Sequence, residues 1–176
     1  MEEEALEEEF SIMREKAERT KILDSNTFQK PVKHLKAQKP VTLEAHQSVR
    51  EAITLMQVKQ FGCAVITRRD KLIGIMTERD VISKALIEGH SIDTMKIEEI
   101  MTPDPESVQL DDSIAFVMNM MHVGGYRHVP VVDETNVPIA VVSVKDVIGF
   151  IVENFPEEIL NVPPHPVRRV DSVDGG

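Results

Sequence analysis

Two short segments of the chain place a hydroxyl side chain three residues before an aspartate, directly after an apolar run. Residues 74–80 read GIMTERD and residues 140–146 read AVVSVKD. A Ser or Thr followed by an acidic residue at this spacing is a common helix start, in which each side chain caps a backbone N–H group. At a strand-to-helix junction the same groups have a second use. Backbone N–H groups and the hydroxyl can hold a phosphate, and the carboxylate can accept hydrogen bonds from both ribose hydroxyls. The pattern predicts either a pair of helix caps or a nucleotide site.

These two segments are parts of a longer internal repeat. Residues 43–67 align with residues 108–132 at an offset of 65, and one extra residue in the next turn raises the offset to 66. Thr77 then aligns with Ser143, and Asp80 aligns with Asp146. Each copy reads as strand, helix, strand, strand and helix, over residues 35–89 and 97–154.

The spacing of apolar residues predicts the first helix of each copy. Apolar side chains recur there at i, i+3, i+4 and i+7, which places them on one helix face. They are Val49, Ala52, Ile53 and Met56 in one copy and Ile114, Val117, Met118 and Met121 in the other. Ser48 and Glu51 form a capping-box pattern before the first helix, and we expect Gly62 and Gly124–Gly125 to let the chain leave these helices.

Paired apolar runs on either side of a polar turn predict a hairpin in each copy. The runs cover residues 64–67 and 72–76, and residues 129–132 and 138–142. We therefore expect an α+β fold in which each copy forms a three-stranded sheet with two helices on one face. Packing the two copies together would bury the other face.

The segments outside the repeat differ in character. Residues 1–34 hold an acidic stretch and a linker, and residues 2–19 have the apolar stripe of an amphipathic helix. Because a lone helix of this length is marginal in water, we expect it to dock on another surface. Residues 155–176 hold four prolines and end in two glycines, which predicts an extended tail.

Composition excludes several classes of function. The net charge is −10, which argues against binding to nucleic acid or to an anionic membrane surface. No stretch approaches the ~20 apolar residues of a membrane helix. The N-terminus lacks the features of a signal peptide, and the single cysteine cannot form an intrachain disulfide. These features predict a soluble cytoplasmic protein.

Both copies resemble CBS domains, small βαββα units that usually occur as tandem pairs called Bateman modules. The resemblance rests on GIMTERD and AVVSVKD, which match the family phrase Gly-h-x-[Thr/Ser]-x-x-Asp, and on the preceding strands FGCAVIT and YRHVPVV. It implies pseudo-twofold packing of the two domains with a cleft on each side of the axis. It also implies an adenosine ligand such as AMP, ADP, ATP, S-adenosylmethionine or NADH, without any required cofactor.

The resemblance assigns two sets of ligand-binding residues, each drawn from both copies. The first set is Ile75, Thr77, Asp80, Tyr126, Arg127 and His128, with Arg79 available to meet a di- or triphosphate. The second set is Val141, Ser143, Asp146, Phe61, Gly62 and Cys63, with Lys145 as its main cation. Ala140 stands where the family has glycine, so close backbone approach is less favourable in the second copy. We expect the first site to be the better one.

The function that we expect is an energy or metabolite sensor without catalytic activity, in a homodimer that signals to an effector protein. Cys63 and His128 occupy equivalent positions and could suggest nucleophilic catalysis, but no third orienting group accompanies them. The histidines lack metal-ligand spacing, so no metal site is expected. The alternative is a ligand-independent interaction module, in which the repeated phrases only cap helices and the acidic helix and proline-rich tail bind a protein partner.

Overall fold

A computed structural model gives the fold and describes residues 25–87 and 89–155. The amphipathic helix predicted over residues 2–19 and the tail predicted after Phe155 lie outside these residues. Within the described part of the chain, no helix is long and apolar enough to cross a membrane.

The first copy contains the predicted strand, helix, strand, strand and helix. A short helix α1 (Ser25–Phe28) and a 3-10 turn (Val32–His34) come first. The copy itself consists of β1 (Thr42–Glu44), α2 (Val49–Lys59), β2 (Cys63–Arg68), β3 (Lys71–Thr77) and α3 (Glu78–Asp80). Helix α3 continues directly into a π-helical segment, Val81–Leu86.

The second copy repeats this order with a shorter first strand. Helix α4 (Ile97–Ile100) and strand β4 (Thr102–Pro103) lead into it. It continues with α5 (Ile114–Gly124), β5 (His128–Val132), β6 (Pro138–Ser143) and α6 (Val144–Asn154). The counterpart of β1 is a single parallel bridge between Val108 and Val131.

The sheets differ from the predicted three-stranded arrangement. In each copy, the segment before the first strand pairs with the sheet of the other copy. The first sheet has the order β1-β2-β3-β4, and β4, which leads into the second copy, pairs with β3 of the first. Reciprocally, Gln38 leads into the first copy and exchanges hydrogen bonds of 3.3 and 3.0 Å with Val141 of β6. An unpaired sheet edge accepts any suitable strand, and the apolar pattern of a sequence does not indicate which strand will fill it.

Each copy has its own apolar core, and a third cluster joins the two. The predicted helix faces are confirmed, since Val49, Ala52 and Met56 of α2 and Ile114, Val117 and Met121 of α5 are buried. The joining cluster consists of Cys63, Val65, Leu72, Ile75, Val132 and Val141. The face of each sheet that its own helices leave bare is therefore buried against the other copy.

The helix starts follow the sequence closely, whereas one helix end does not. Ser48 and Glu51 form the predicted capping box, with Ser48 N donating to Glu51 Oε2 at 2.8 Å. At the end of α2 the left-handed residue is Gln60 (φ 55°), so Gly62 does not serve as the helix exit. At the end of α5 the predicted glycine is used, since Gly125 has φ 67°.

Candidate functional site

A cleft of about 440 Å³ opens between the two copies at the end of β3. The first copy contributes Gly62, Ile75, Thr77, Glu78, Arg79 and Asp80. The second copy and the segment leading into it contribute Thr102, Asp104, Pro105, Glu106, Gly124, Gly125, Tyr126, Arg127 and His128. The seven residues predicted for the first site therefore all line one cleft.

Three features of the fold bring these residues together. The capping box at Thr77 turns the chain from β3 into α3, which places Thr77 and Asp80 on one wall. On the other wall, the left-handed Gly125 ends α5 and leads through Tyr126 and Arg127 into β5. Pairing of β4 with β3 adds the loop that follows β4, with Asp104 and Glu106.

Asp80 is the one charged residue buried within the described part of the chain, with 8% of its surface exposed, and both of its carboxylate oxygens accept hydrogen bonds. Oδ2 accepts from the backbone N–H of Thr77 at 2.9 Å and from its hydroxyl at 2.7 Å. Oδ1 accepts from Nζ of Lys84 at 2.7 Å, and the same ammonium group donates to the carbonyl oxygen of Ile100 at 2.7 Å. The helix-cap geometry is thus fully formed, and any ribose hydroxyl would have to share this carboxylate.

The second phrase forms the same capping box without lining the cleft. Ser143 donates to Asp146 Oδ2 through its backbone N–H and its hydroxyl, both at 2.7 Å. Of the residues predicted for the second site, only Gly62 lines the cleft. Cys63 and Val141 are buried in the cluster that joins the copies, and Phe61 packs on the first core.

Gly62 lies against His128, at the point where equivalent parts of the two copies meet. A Cβ placed on Gly62 would lie 3.5 Å from Cε1 of His128 and 3.5 Å from Oε2 of Glu78. Burial and the neighbouring Arg127 lower the pKa of His128, and the opposing effects of Glu78 and Asp146 are smaller. The imidazole is therefore neutral at pH 7, and it faces the cleft without a positive charge.

Tyr126 anchors the opposite side of the cleft through a hydrogen bond from its hydroxyl to the Glu106 carboxylate. Burial, followed by this hydrogen bond, raises the pKa of Tyr126 to about 12.

Three charged residues of the cleft were not predicted from the sequence: Glu78, Asp104 and Glu106. Glu78 could have been found because it lies inside the first phrase, but Asp104 and Glu106 reach the cleft only through the pairing of β4 with β3.

Cys63 is a free cysteine, buried in the cluster that joins the two copies. Burial raises the pKa of Cys63 to about 12, so its reactive thiolate is scarce at neutral pH. Among residues 25–87 and 89–155, no group of three or more His, Cys, Asp or Glu side chains is placed to hold a metal ion.

Comparison with known proteins identifies the repeat. The family model described as CBS domain matches residues 32–86 and 97–153. The CBS domain-containing protein CBSCBSPB5 of Arabidopsis thaliana is 32% identical over 93 residues, which are 52% of this chain and 17% of that protein. The chain therefore matches about a sixth of that relative's length.

Solved structures of CBS domain pairs are similar over most of the chain. The CBS domain pair of protein MJ0100, in complex with 5′-methylthioadenosine and S-adenosyl-L-methionine, has a TM-score of 0.64 and 27% identity, covering 70% of this chain and 97% of that one. The CBS domain protein PAE2072 from Pyrobaculum aerophilum, complexed with AMP, has a TM-score of 0.64 and 25% identity, with the same coverage of 70% and 97%. With two tandem matches that cover more than half of its residues, the chain belongs to the CBS domain family.

Proposed function

We propose that this chain is a non-catalytic regulatory module that binds an adenosine-containing nucleotide between its two CBS domains, over residues 35–89 and 97–154. The observation that carries the proposal is the cleft shared by Thr77 and Asp80 of one copy and Tyr126, Arg127 and His128 of the other. Its volume of about 440 Å³ lies within the range of small-molecule sites. The resemblance to CBS pairs complexed with AMP, 5′-methylthioadenosine and S-adenosylmethionine supports the same ligand class.

Each part of the cleft has a role in this proposal. The Asp80 carboxylate accepts from the ribose hydroxyls, sharing oxygens that now accept from Thr77 and Lys84. Ile75 supplies apolar surface for the adenine, and Tyr126 and His128 close the site from the second copy. A bound ligand would contact both copies and favour the relative arrangement in which both walls of the cleft contact it. The population of that arrangement would then rise with ligand concentration, which makes the module a sensor.

The wider setting is also part of the proposal. The chain would work in the cytoplasm, where its buried thiol stays reduced, and would pass the signal to an effector protein. ATP and other polyphosphates are candidate ligands on the ground that Arg79 and Arg127 line the cleft. The second set of residues, around Ser143 and Asp146, would form a weaker site on the other side of the pseudo-twofold axis.

One observation favours the alternative of a ligand-independent interaction module. Both carboxylate oxygens of Asp80 already accept hydrogen bonds inside the protein, so the repeated phrases are complete as helix caps without any ligand. In that case a protein partner would recognise the segments before Ser25 and after Phe155.

The two proposals are separated by comparing the equivalent aspartates. Asp80→Ala and Asp146→Ala each remove the carboxylate of a capping box, and each should lower stability by about 1 kcal/mol. A ligand at 100 times its dissociation constant should stabilise the wild type by about 2.7 kcal/mol, which a thermal shift detects. AMP, 5′-methylthioadenosine, S-adenosylmethionine, ATP and NADH form the panel. Binding lost in Asp80→Ala and kept in Asp146→Ala supports the sensor, whereas no shift with any compound supports the interaction module.

A further inference from the structure

The charges around the cleft run against a polyphosphate ligand. Four carboxylates line it, on Glu78, Asp80, Asp104 and Glu106, and two guanidinium groups oppose them, on Arg79 and Arg127. His128 does not add a third positive charge at neutral pH, since burial and Arg127 lower its pKa. Asp80 is already paired with Lys84, which leaves three carboxylates against two guanidinium groups, so the cleft still carries a net negative charge.

The positions of the two cations weaken them further. Arg79 and Arg127 are exposed at the rim of the cleft, and neither makes an ion pair with another residue in the described part of the chain. Water screens exposed charges of this kind, so each guanidinium group attracts a phosphate only modestly. Glu78, Asp104 and Glu106 are exposed as well and are screened in the same way, but the hydroxyl of Tyr126 holds Glu106 in place.

The donors of Thr77, Glu78 and Asp80 that could hold a phosphate are already used within the protein. The hydroxyl and backbone N–H of Thr77 both donate to Asp80 Oδ2, and the N–H of Asp80 donates to the Thr77 hydroxyl oxygen at 3.4 Å. The N–H of Glu78 donates to the carbonyl oxygen of Gly62 at 3.2 Å. A phosphate oxygen can only accept, so it would have to displace these bonds. A ligand hydroxyl or ammonium group could donate to the carboxylates that line the cleft.

We propose that this cleft selects adenosine compounds whose 5′ substituent is uncharged or of net positive charge, such as a thioether or a sulfonium amino acid, over adenosine polyphosphates. This inference rests on the proposed function, because it concerns the ligand class of the same cleft. Its physical basis is the small excess of carboxylates over cations, together with the use of the Thr77, Glu78 and Asp80 donors inside the protein. Specificity of this kind comes from repulsion of the wrong ligand as much as from attraction of the right one.

Calorimetric titration of the full chain tests the inference with three compounds: 5′-methylthioadenosine, S-adenosylmethionine and ATP, the last both with EDTA and with excess Mg²⁺. At low ionic strength we expect the two thio compounds to bind at least about tenfold more tightly than Mg²⁺-free ATP. Added salt should reduce that ratio, because it screens the repulsion of ATP. The double variant Asp104→Asn/Glu106→Gln should bind Mg²⁺-free ATP more tightly, so the preference for 5′-methylthioadenosine over Mg²⁺-free ATP should fall.

A matched control makes the same change in net charge away from the cleft. Glu98→Gln/Glu134→Gln replaces two exposed carboxylates that do not line it, and its ligand preference should equal that of the wild type. If Mg²⁺-free ATP binds as tightly as 5′-methylthioadenosine, the inference is overturned and the adenosine site remains in place. An equal effect of the control and cleft variants would overturn it as well. Absence of binding by these compounds, with AMP or NADH still bound, would overturn the inference alone, and absence of binding by the whole panel would remove the proposed function as well.

Discussion

Nζ of Lys84 donates a 2.7 Å hydrogen bond to Oδ1 of Asp80, so the carboxylate assigned to ribose is already paired with a cation. The two residues are four apart, and Lys84 lies in the π-helical segment that continues α3. The same ammonium group donates to the carbonyl oxygen of Ile100, just before the crossing strand β4. Lys84 therefore connects the proposed binding carboxylate to the segment that joins the two copies.

Replacing Lys84 with methionine should lower the free energy of unfolding by about 1 kcal/mol, because it leaves a buried carboxylate oxygen and a backbone carbonyl without their donor. Urea denaturation measures the change. Arg50→Met is the matched control, since it breaks the fully exposed ion pair with Asp93 and should have a smaller effect. Equal effects of the two variants would show that the Lys84 contacts add nothing specific.

Gly74 is buried where β3 meets β4, and its lack of a side chain makes room for Met101 and Thr102. A Cβ at Gly74 would lie 2.5 Å from Sδ of Met101 and 3.3 Å from the carbonyl oxygen of Thr102. Gly74→Ala should therefore destabilise the fold by about 1–3 kcal/mol in thermal or urea unfolding. Adding Met101→Ala should restore less than the whole loss, because the Thr102 contact remains.

Ala140 occupies the equivalent position in the second copy and pairs with Val131. Ala140→Gly should lower the free energy of unfolding by only about 0.5–1 kcal/mol, because glycine gives the unfolded chain more conformational freedom. A loss at Ala140→Gly as large as that at Gly74→Ala would contradict the packing explanation.

His128 should make stability depend on pH near neutrality. Its pKa is lowered in the folded protein, first by burial and then by Arg127, so the unfolded chain takes up the proton at a higher pH than the folded one. The stability that this group contributes is complete above the unfolded pKa of about 6.5 and is lost as the pH falls through the lower, folded value.

Urea unfolding of the wild type and of His128→Gln between pH 7.5 and pH 5 measures this dependence. The variant should lose less stability over this interval than the wild type, because its side chain does not titrate. The other histidines and the carboxylates are common to both proteins and cancel in the comparison. Parallel curves for the two proteins would show that His128 does not cause the loss.

Tyr126 is the single tyrosine of a chain without tryptophan, so its absorbance and fluorescence report on the cleft alone. Its pKa of about 12, raised by burial and then by Glu106, should be visible as a high midpoint in alkaline titration of the phenolate absorbance. Glu106→Gln should move the midpoint down toward the ordinary value of about 10. Glu134→Gln should leave it where it is, and a shift in that control would point to general unfolding instead.

Apolar side chains are exposed at equivalent positions of the two copies, which supports the homodimer expected from the sequence. Ile82 after α3 and Ile148 on α6 are 54% and 53% exposed, and Val58 and Val123 are a second such pair. A second copy of the chain could cover these residues with the same surfaces of its own. Ile82→Glu/Ile148→Glu should convert a dimer into a monomer in light scattering. A wild type that is monomeric at high concentration would contradict the dimer.

Much of the fold could be predicted from the sequence because it depends on local rules. The apolar faces of α2 and α5, the capping boxes at Ser48, Thr77 and Ser143, and the hairpin in each copy all follow from residue spacing over a few turns. The end of α2 differs from the prediction. Gln60, rather than Gly62, adopts the left-handed conformation, and backbone hydrogen bonds to Gln57 and Met56 stabilise it.

Internal similarity and helix capping are properties of the chain, so residue order alone indicates two equivalent units and places Thr77 and Asp80 at a strand-to-helix junction. The crossing of β4 to the first sheet, which brings Asp104 and Glu106 into the cleft that Asp80 lines, depends on the tertiary fold. The sign of the charge around the cleft therefore depends on residues far apart in the chain. Pairing at a sheet edge brings them together through backbone hydrogen bonds, for which the side-chain pattern carries no signal.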